Sequence, residues 1–386
     1  LSRKRRDRRS NMDTIGKLAY KGVDACAWKE SIMKGAVTFA AILFAGVGIM
    51  YLVYTEGFAT NSAKGKDRID LAPNELPELP GEEEQQGGFG SDRTQPGGAA
   101  VKPVAFDGKR AFKYLRAICE IGPRMSGTKQ MQKQQELVKK HFEDLGAKVT
   151  FQTFKARQNS VKGEVEFTNI IVSFLPEKKR RVILCSHYDT RPIADQEPDP
   201  RDWRKPFLSA NDGGSGVAML MELGNHMKDL KTNVGVDFVL FDGEEYIWQT
   251  KGQNKDRYFI GSEHFAKTWK TDKNRCEYAA AILLDMTAGK NLRLPVEVHS
   301  YKYYPELCKQ IYGIAREQNA KAFIFDWGHE VQDDHLALQR VGIPAIDIID
   351  FDYPHWHKLS DNPENCSPES MEQVAGVLSV WLQRVK

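Results

Sequence analysis

The sequence lacks the signatures of several common protein classes. Its six cysteines (26, 119, 185, 276, 308 and 366) include no CxxC pair, which excludes a zinc ribbon and a disulfide-dense scaffold while leaving room for one or two disulfides. It has no internal repeat, so a solenoid or propeller is excluded. A basic surface is also missing from the bulk of the chain. The first 34 residues carry ten Lys/Arg against four Asp/Glu, and with a formal net charge of +3 overall the remainder is mildly acidic. Nucleic acid is therefore not an expected partner. With 41% hydrophobic and 28% charged residues, the chain is nonetheless an ordinary folded protein with a sizeable core.

Long apolar runs are scarce too, with one exception. Residues 35–54 (GAVTFAAILFAGVGIMYLVY) carry no charge and, at about 1.5 Å per residue, match a bilayer core of roughly 30 Å. This run predicts one transmembrane helix. The Lys/Arg excess lies before it, so the N-terminus is expected in the cytoplasm and the bulk of the protein on the other side. Residues 55–103 are rich in Gly, Pro, Glu and Gln with few aromatics, a composition that predicts a flexible tether. The expected organisation is a basic cytoplasmic segment (1–34), the membrane helix (35–54), the linker (55–103) and a catalytic domain (104–386).

From residue 104 on, helical and strand patterns alternate. VTFQTF, VEFTNIIVSF, RRVILCSHYD, VGVDFVLFDGEE, AAAILLDM and PAIDIID read as strands, most of them continuous apolar runs ending in charged residues. RAFKYLRAIC, KQMQKQQELVKKHFEDLG, VAMLMELGNHM, GSEHFAKTW, PELCKQIYGIAREQ and SMEQVAGVLSVWLQRV carry helical spacing. The predicted fold is a three-layer α/β/α domain with a mostly parallel central sheet.

In such sheets the site lies beyond the carboxyl ends of the strands. His187 and Asp189 end one strand, Asp242, Glu244 and Glu245 a second, and Asp285 a third. Asp212 precedes a glycine-rich turn and an apolar helix, a position that an ordinary N-cap also occupies. Together with His357 these residues supply the imidazole and carboxylate mixture that suits zinc. The adjacent Glu244 and Glu245 would repel at a buried strand end unless a cation or a proton came between them. GHEVQDDH is not an HExxH helix, because Asp333 stands four residues after His329 and His335 stands six after it.

IGPRMSGT, SHYDT, SANDGGSGVAMLMELG, FDGEE, ILLDM and the late Trp356-His357 pair resemble the co-catalytic zinc aminopeptidase superfamily over about residues 105–386. Within it, QDDH (332–335) and Trp356 are similar to the glutaminyl-peptide cyclotransferases, which convert an N-terminal glutamine to pyroglutamate with release of ammonia. That resemblance implies one zinc on Asp212, Glu245 and His357, with Glu244 as the proton shuttle and Asp285 and Asp333 as a carboxylate pair. It also implies substrate binding by Trp356 and His335, and peptides with a free N-terminus as substrates. GGSGVA after Asp212 is closer to the aminopeptidase pattern, and His187 and Asp285 would complete a second zinc site bridged by Asp212. Three readings follow from the sequence: a mono-zinc cyclotransferase, a di-zinc aminopeptidase, and a metal-free ectodomain that uses the fold for binding.

Overall fold

The computed structural model describes residues 101–250, 252 and 255–386. The basic segment, the expected membrane helix at 35–54 and the linker up to residue 100 lie outside the described residues. Among the described residues, no helix is long and apolar enough to cross a membrane.

The chain opens with α1 (Gly108–Glu120) and α2 (Lys129–Asp144), followed by β1 (Lys148–Ala156), β2 (Val165–Phe174) and β3 (Arg180–His187). Next come α3 (Ser215–Gly224), β4 (Gly235–Phe241), α4 (Ile260–Thr271), β5 (Glu277–Asp285), β6 (Leu294–Val296), α5 (Val298–Tyr303) and α6 (Pro305–Glu317). The last elements are β7 (Phe323–Trp327), α7 (Asp334–Arg340), β8 (Ala345–Ile349) and α8 (Pro368–Arg384). The main sheet has six strands in the order β1-β2-β4-β3-β5-β8. Its first two pairings, β1 with β2 and β2 with β4, are antiparallel, and the other three are parallel.

Burial follows the sequence pattern. β4 is buried along its whole length, and β3 from Arg181 onward, as continuous apolar runs between two helical layers require. Side chains alternate across the sheet. Val182 and Leu184 join the cluster beneath α1, α2, α3 and α8, whereas Ile183 and Cys185 join the one beneath α4 and α7. Both faces are thus covered, each buried aliphatic side chain contributing roughly 1.5–3 kcal/mol. α3 is buried at all ten of its positions, which explains why SGVAMLMELG is apolar all round rather than on one face. One buried acid inside the sheet is Asp237 on β4, which takes a two-pronged ion pair from Arg181 on β3.

Not foreseen from the sequence were the two-stranded parallel sheet of β6 and β7 and the short helices α5 and α7. Residues 328–333 form no helix, in agreement with the exclusion of an HExxH motif there.

Candidate metal and catalytic centre

The parallel strands deliver the site. β3 ends on His187, which lies in register with Phe241 at the end of β4, and β5 ends on Asp285. The turns beyond these ends carry the remaining groups. After β4, Gly243 adopts φ +72°, where a side chain would also strike the Phe167 ring. This compact turn sets Glu244 and Glu245 at the strand mouth. Gly213 (φ +81°) is equally constrained, since a Cβ there would sit 2.4 Å from the Asp189 carbonyl and 2.9 Å from the His187 ring. Asp212 can therefore approach His187 closely. It does not cap α3, whose N-cap is Gly214 with no side-chain hydrogen bond.

Asp212 stands at the centre. Its Oδ1 lies 3.0 Å from His187 Nε2 and its Oδ2 lies 3.6 Å from His357 Nε2. On one side His187 Nε2 is also 3.2 Å from Asp285; on the other His357 Nε2 is 3.0 Å from Glu245. Donor atoms of Asp212, Glu245 and His357 lie within 4.8 Å of one another, as do those of His187, Asp212 and Asp285 and those of His187, Glu244 and Glu245. Asp212 Oδ2 is buried without a hydrogen-bond partner, although a buried carboxylate oxygen normally has one. An orphaned oxygen flanked by an imidazole and a second carboxylate fits a divalent cation.

Each of these groups is held from behind. Asp361 accepts the backbone N–H of Asn211 and of Asp212, at 2.9 and 3.1 Å, and the Tyr353 hydroxyl at 3.0 Å. Asp189 accepts the N–H of Glu244 and of Glu245, at 3.1 and 3.3 Å. His357 has its second ring nitrogen 3.1 Å from Asp195, whose carboxylate accepts hydrogen bonds from Nε and Nη2 of Arg191. Arg191 in turn donates its backbone N–H to Glu245 at 3.0 Å. His357 itself sits at φ +51°, and Met286, directly after Asp285, at φ +49°. Such left-handed positions cost about 1–3 kcal/mol each and persist where the surroundings fix them.

The electrostatics match this crowding. Burial, then the charge of Asp212, pushes Glu245 up to about 7. Burial raises Glu244 well above the usual carboxylate range; His187 opposes this, while Glu245 and Asp333 reinforce it. Burial and then Asp285 do the same to Asp333. Asp212 alone of the central acids is held low, because its hydrogen bond to His187 and the charges of His187 and His357 outweigh its burial. So many carboxylates in one buried space need protons or a cation.

The remaining residues singled out in the sequence fall in three places. Asp333 caps α7 by accepting the Asp334 N–H, and it lies in the electrostatic field of Asp285. Trp356 is half-buried against His357, with ring centroids 4.1 Å apart, and also contacts Phe351 at 5.1 Å beside an apolar patch of Met286, Val331, Ile349 and Tyr353. His335 has no exposed surface; its ring lies between Glu297 (3.4 Å) and Asp347 (3.7 Å), apart from the residues that converge on Asp212. Sequence reasoning missed Asp195, Arg191 and Asp361. The need of His357 for a carboxylate behind it is general, but no pattern in RPIADQEPDP marks which acid serves.

The sequence profile of Peptidase family M28 matches residues 169–382. Bovine glutaminyl-peptide cyclotransferase is 23% identical over 257 residues, a match that covers 57% of this chain and 66% of that protein, just short of two thirds of its length. Among solved structures, glutaminyl cyclase from Fimbriiglobus ruber is 49% identical, with a TM-score of 0.73, and the match covers 76% of this chain and all of that one. A leucine aminopeptidase precursor from Bacteroides thetaiotaomicron is 30% identical with a TM-score of 0.69, over 74% of this chain and all of that one.

Proposed function

Because the chain belongs to peptidase family M28, in its glutaminyl-cyclase-like branch, we propose that it is a zinc-dependent glutaminyl-peptide cyclotransferase, closing the N-terminal glutamine of peptides to pyroglutamate with release of ammonia. The observation that carries this reading is the buried triangle of Asp212, Glu245 and His357, with Glu244 beside it, in a chain 49% identical to a glutaminyl cyclase along that enzyme's full length.

Asp212, Glu245 and His357 would hold the zinc. The ion's contribution when bound is Lewis-acid polarisation of the glutamine γ-carboxamide. The chain's own residues do the rest. Glu244 accepts a proton as the substrate α-amine bonds to the γ-carbonyl carbon, and returns it to the departing nitrogen as that C–N bond breaks and ammonia leaves. Its raised proton affinity suits this task. Asp285 and Asp333, both pushed upward chiefly by burial, would serve as the carboxylate pair that holds a proton beside the reacting carbon. Trp356 and its apolar neighbours form the wall against which the glutamine side chain packs.

A second reading, a di-zinc aminopeptidase, is favoured by one observation: His187, Asp212 and Asp285 also bring their donor atoms together, with Asp212 facing both histidines. Zinc content and product separate the two. One zinc per chain with ammonia release supports the cyclase; two zincs with free amino acids support the peptidase.

Two smaller effects follow. Asp195→Ala should weaken zinc binding roughly 10–100-fold by freeing the His357 ring, as measured by competition with a chelating dye; parent-like affinity would contradict the role given to Asp195. Trp356→Ala should raise KM about tenfold with kcat little changed, the mark of lost ground-state binding, and a fall in kcat alone would place Trp356 elsewhere in the reaction.

We extend the proposal to location: residues 35–54 anchor the chain in a membrane, with the N-terminus cytoplasmic and the catalytic unit outside. Protease added to intact cells should then digest the catalytic unit; protection until lysis would overturn this topology.

A further inference from the structure

The segment Ile121–Thr128 (IGPRMSGT) marks the family in the sequence yet supplies no ligand, acid or base. It lies between α1 and α2, and its contacts reach three of the segments that carry the site.

Arg124 has no exposed surface, and its side-chain hydrogen bonds run to main-chain carbonyls, not to carboxylates. One arm donates to Leu208 O at 2.7 Å and the other to Ser209 O at 2.9 Å. Ser209 is held at φ +53°, three residues before Asp212. The Arg124 carbonyl accepts the N–H of Thr190 at 3.2 Å, in the turn that follows His187 and Asp189. Two residues on, the buried Ser126 hydroxyl donates to Asp242 Oδ1 at 2.6 Å, at the start of the turn bearing Glu244 and Glu245. Asp242 is held on its other oxygen by the Thr168 N–H at 2.8 Å.

A fully buried guanidinium is a costly way to hold two carbonyls unless their placement matters, because a neutral donor would satisfy them without desolvating a charge. The planar fork fixes the orientation of two successive peptide groups, which the single ammonium of lysine cannot do. We propose that Arg124 and Ser126 are positioning residues which set the mutual geometry of the metal ligands, Arg124 by locking the Asp212 loop to the His187–Arg191 turn and Ser126 by locking the Glu244–Glu245 turn to the same segment. The inference rests on the zinc reading above and adds to it the device that brings three separate loops into register.

The test uses Arg124→Lys and Ser126→Ala in the full chain, with zinc and cobalt(II) as probes. Zinc affinity is read by dye competition, ligand geometry by the visible absorption of the cobalt(II) protein, and kcat and KM with a Gln-peptide. Arg124→Lys is expected to lose roughly 10–100-fold in zinc affinity, with a changed cobalt spectrum and a fall in kcat at near-parental KM. Ser126→Ala should do the same to a smaller degree, since Thr168 still holds Asp242. Lower resistance to urea with parent-like zinc affinity and cobalt spectrum would mean that both residues serve stability alone and would overturn the proposal. Should Arg124→Lys fail to fold, Ser126→Ala decides by the same two readouts. A parent chain that takes up neither ion overturns the zinc reading and this inference with it, whereas equal binding by parent and variants overturns this inference alone.

Discussion

Glu244→Gln should lower kcat by about 10²–10⁴-fold, the usual contribution of a positioned acid/base, while zinc stays bound with an affinity within a few-fold of the parent. The two neighbouring glutamates differ in what they can reach. The Glu245 side chain is 2% exposed and faces His357, whereas that of Glu244 is 13% exposed, enough to meet a substrate entering the mouth of the strands. Glutamine preserves shape and leaves the backbone N–H groups of both residues on Asp189, so the loss falls on proton transfer. Measurement of kcat beside metal content checks it. Near-parental turnover would remove Glu244 from the chemistry, and loss of zinc would make it a ligand.

Asp212→Ala should have the opposite signature. Among the described residues, Asp212 is the one carboxylate within 3.6 Å of both His187 and His357, and without it the two histidines lose the acid they share most closely. If the free energy of a structural zinc site is spread over about four ligands, losing one weakens binding roughly 10²–10³-fold, and activity should fall with it. Dialysis against a mild chelator followed by metal analysis should leave the variant empty and the parent loaded. A variant that kept one zinc per chain would show that Glu245 and His357 hold the ion with some other partner.

Much of this architecture is legible in the sequence because buried parallel strands write themselves as uninterrupted apolar runs. Where RRVILCSH, GVDFVLF and AAAILLD stop, the acids and histidines begin, so the carboxyl ends of β3, β4 and β5 and the residues beyond them can be located before any coordinates are seen. Donor atoms of Asp212, Glu245 and His357 lie within 4.8 Å of one another. What stays hidden is whatever depends on how the loops close. Asp195 and Asp199 stand four residues apart in the same acidic stretch, yet Asp195 turns inward to His357 and Arg191 while Asp199, 39% exposed, pairs with Arg201 at the surface. Asp361 looks like a turn residue in SDNPEN, and only the folded chain carries it back to the N–H groups of Asn211 and Asp212. β6 is three residues long and α7 seven, too short for either periodicity to register.

If a zinc ion on Asp212, Glu245 and His357 turns this chain into a catalyst of ring closure at N-terminal glutamine, as proposed, the product alone will show it. Mass analysis of a Gln-Xaa peptide incubated with zinc-loaded protein addresses it in one step. The expected product is lighter than the substrate by one ammonia, with every residue of the peptide retained and no such conversion after zinc is stripped. Free glutamine together with the shortened peptide would contradict it and make the chain an aminopeptidase.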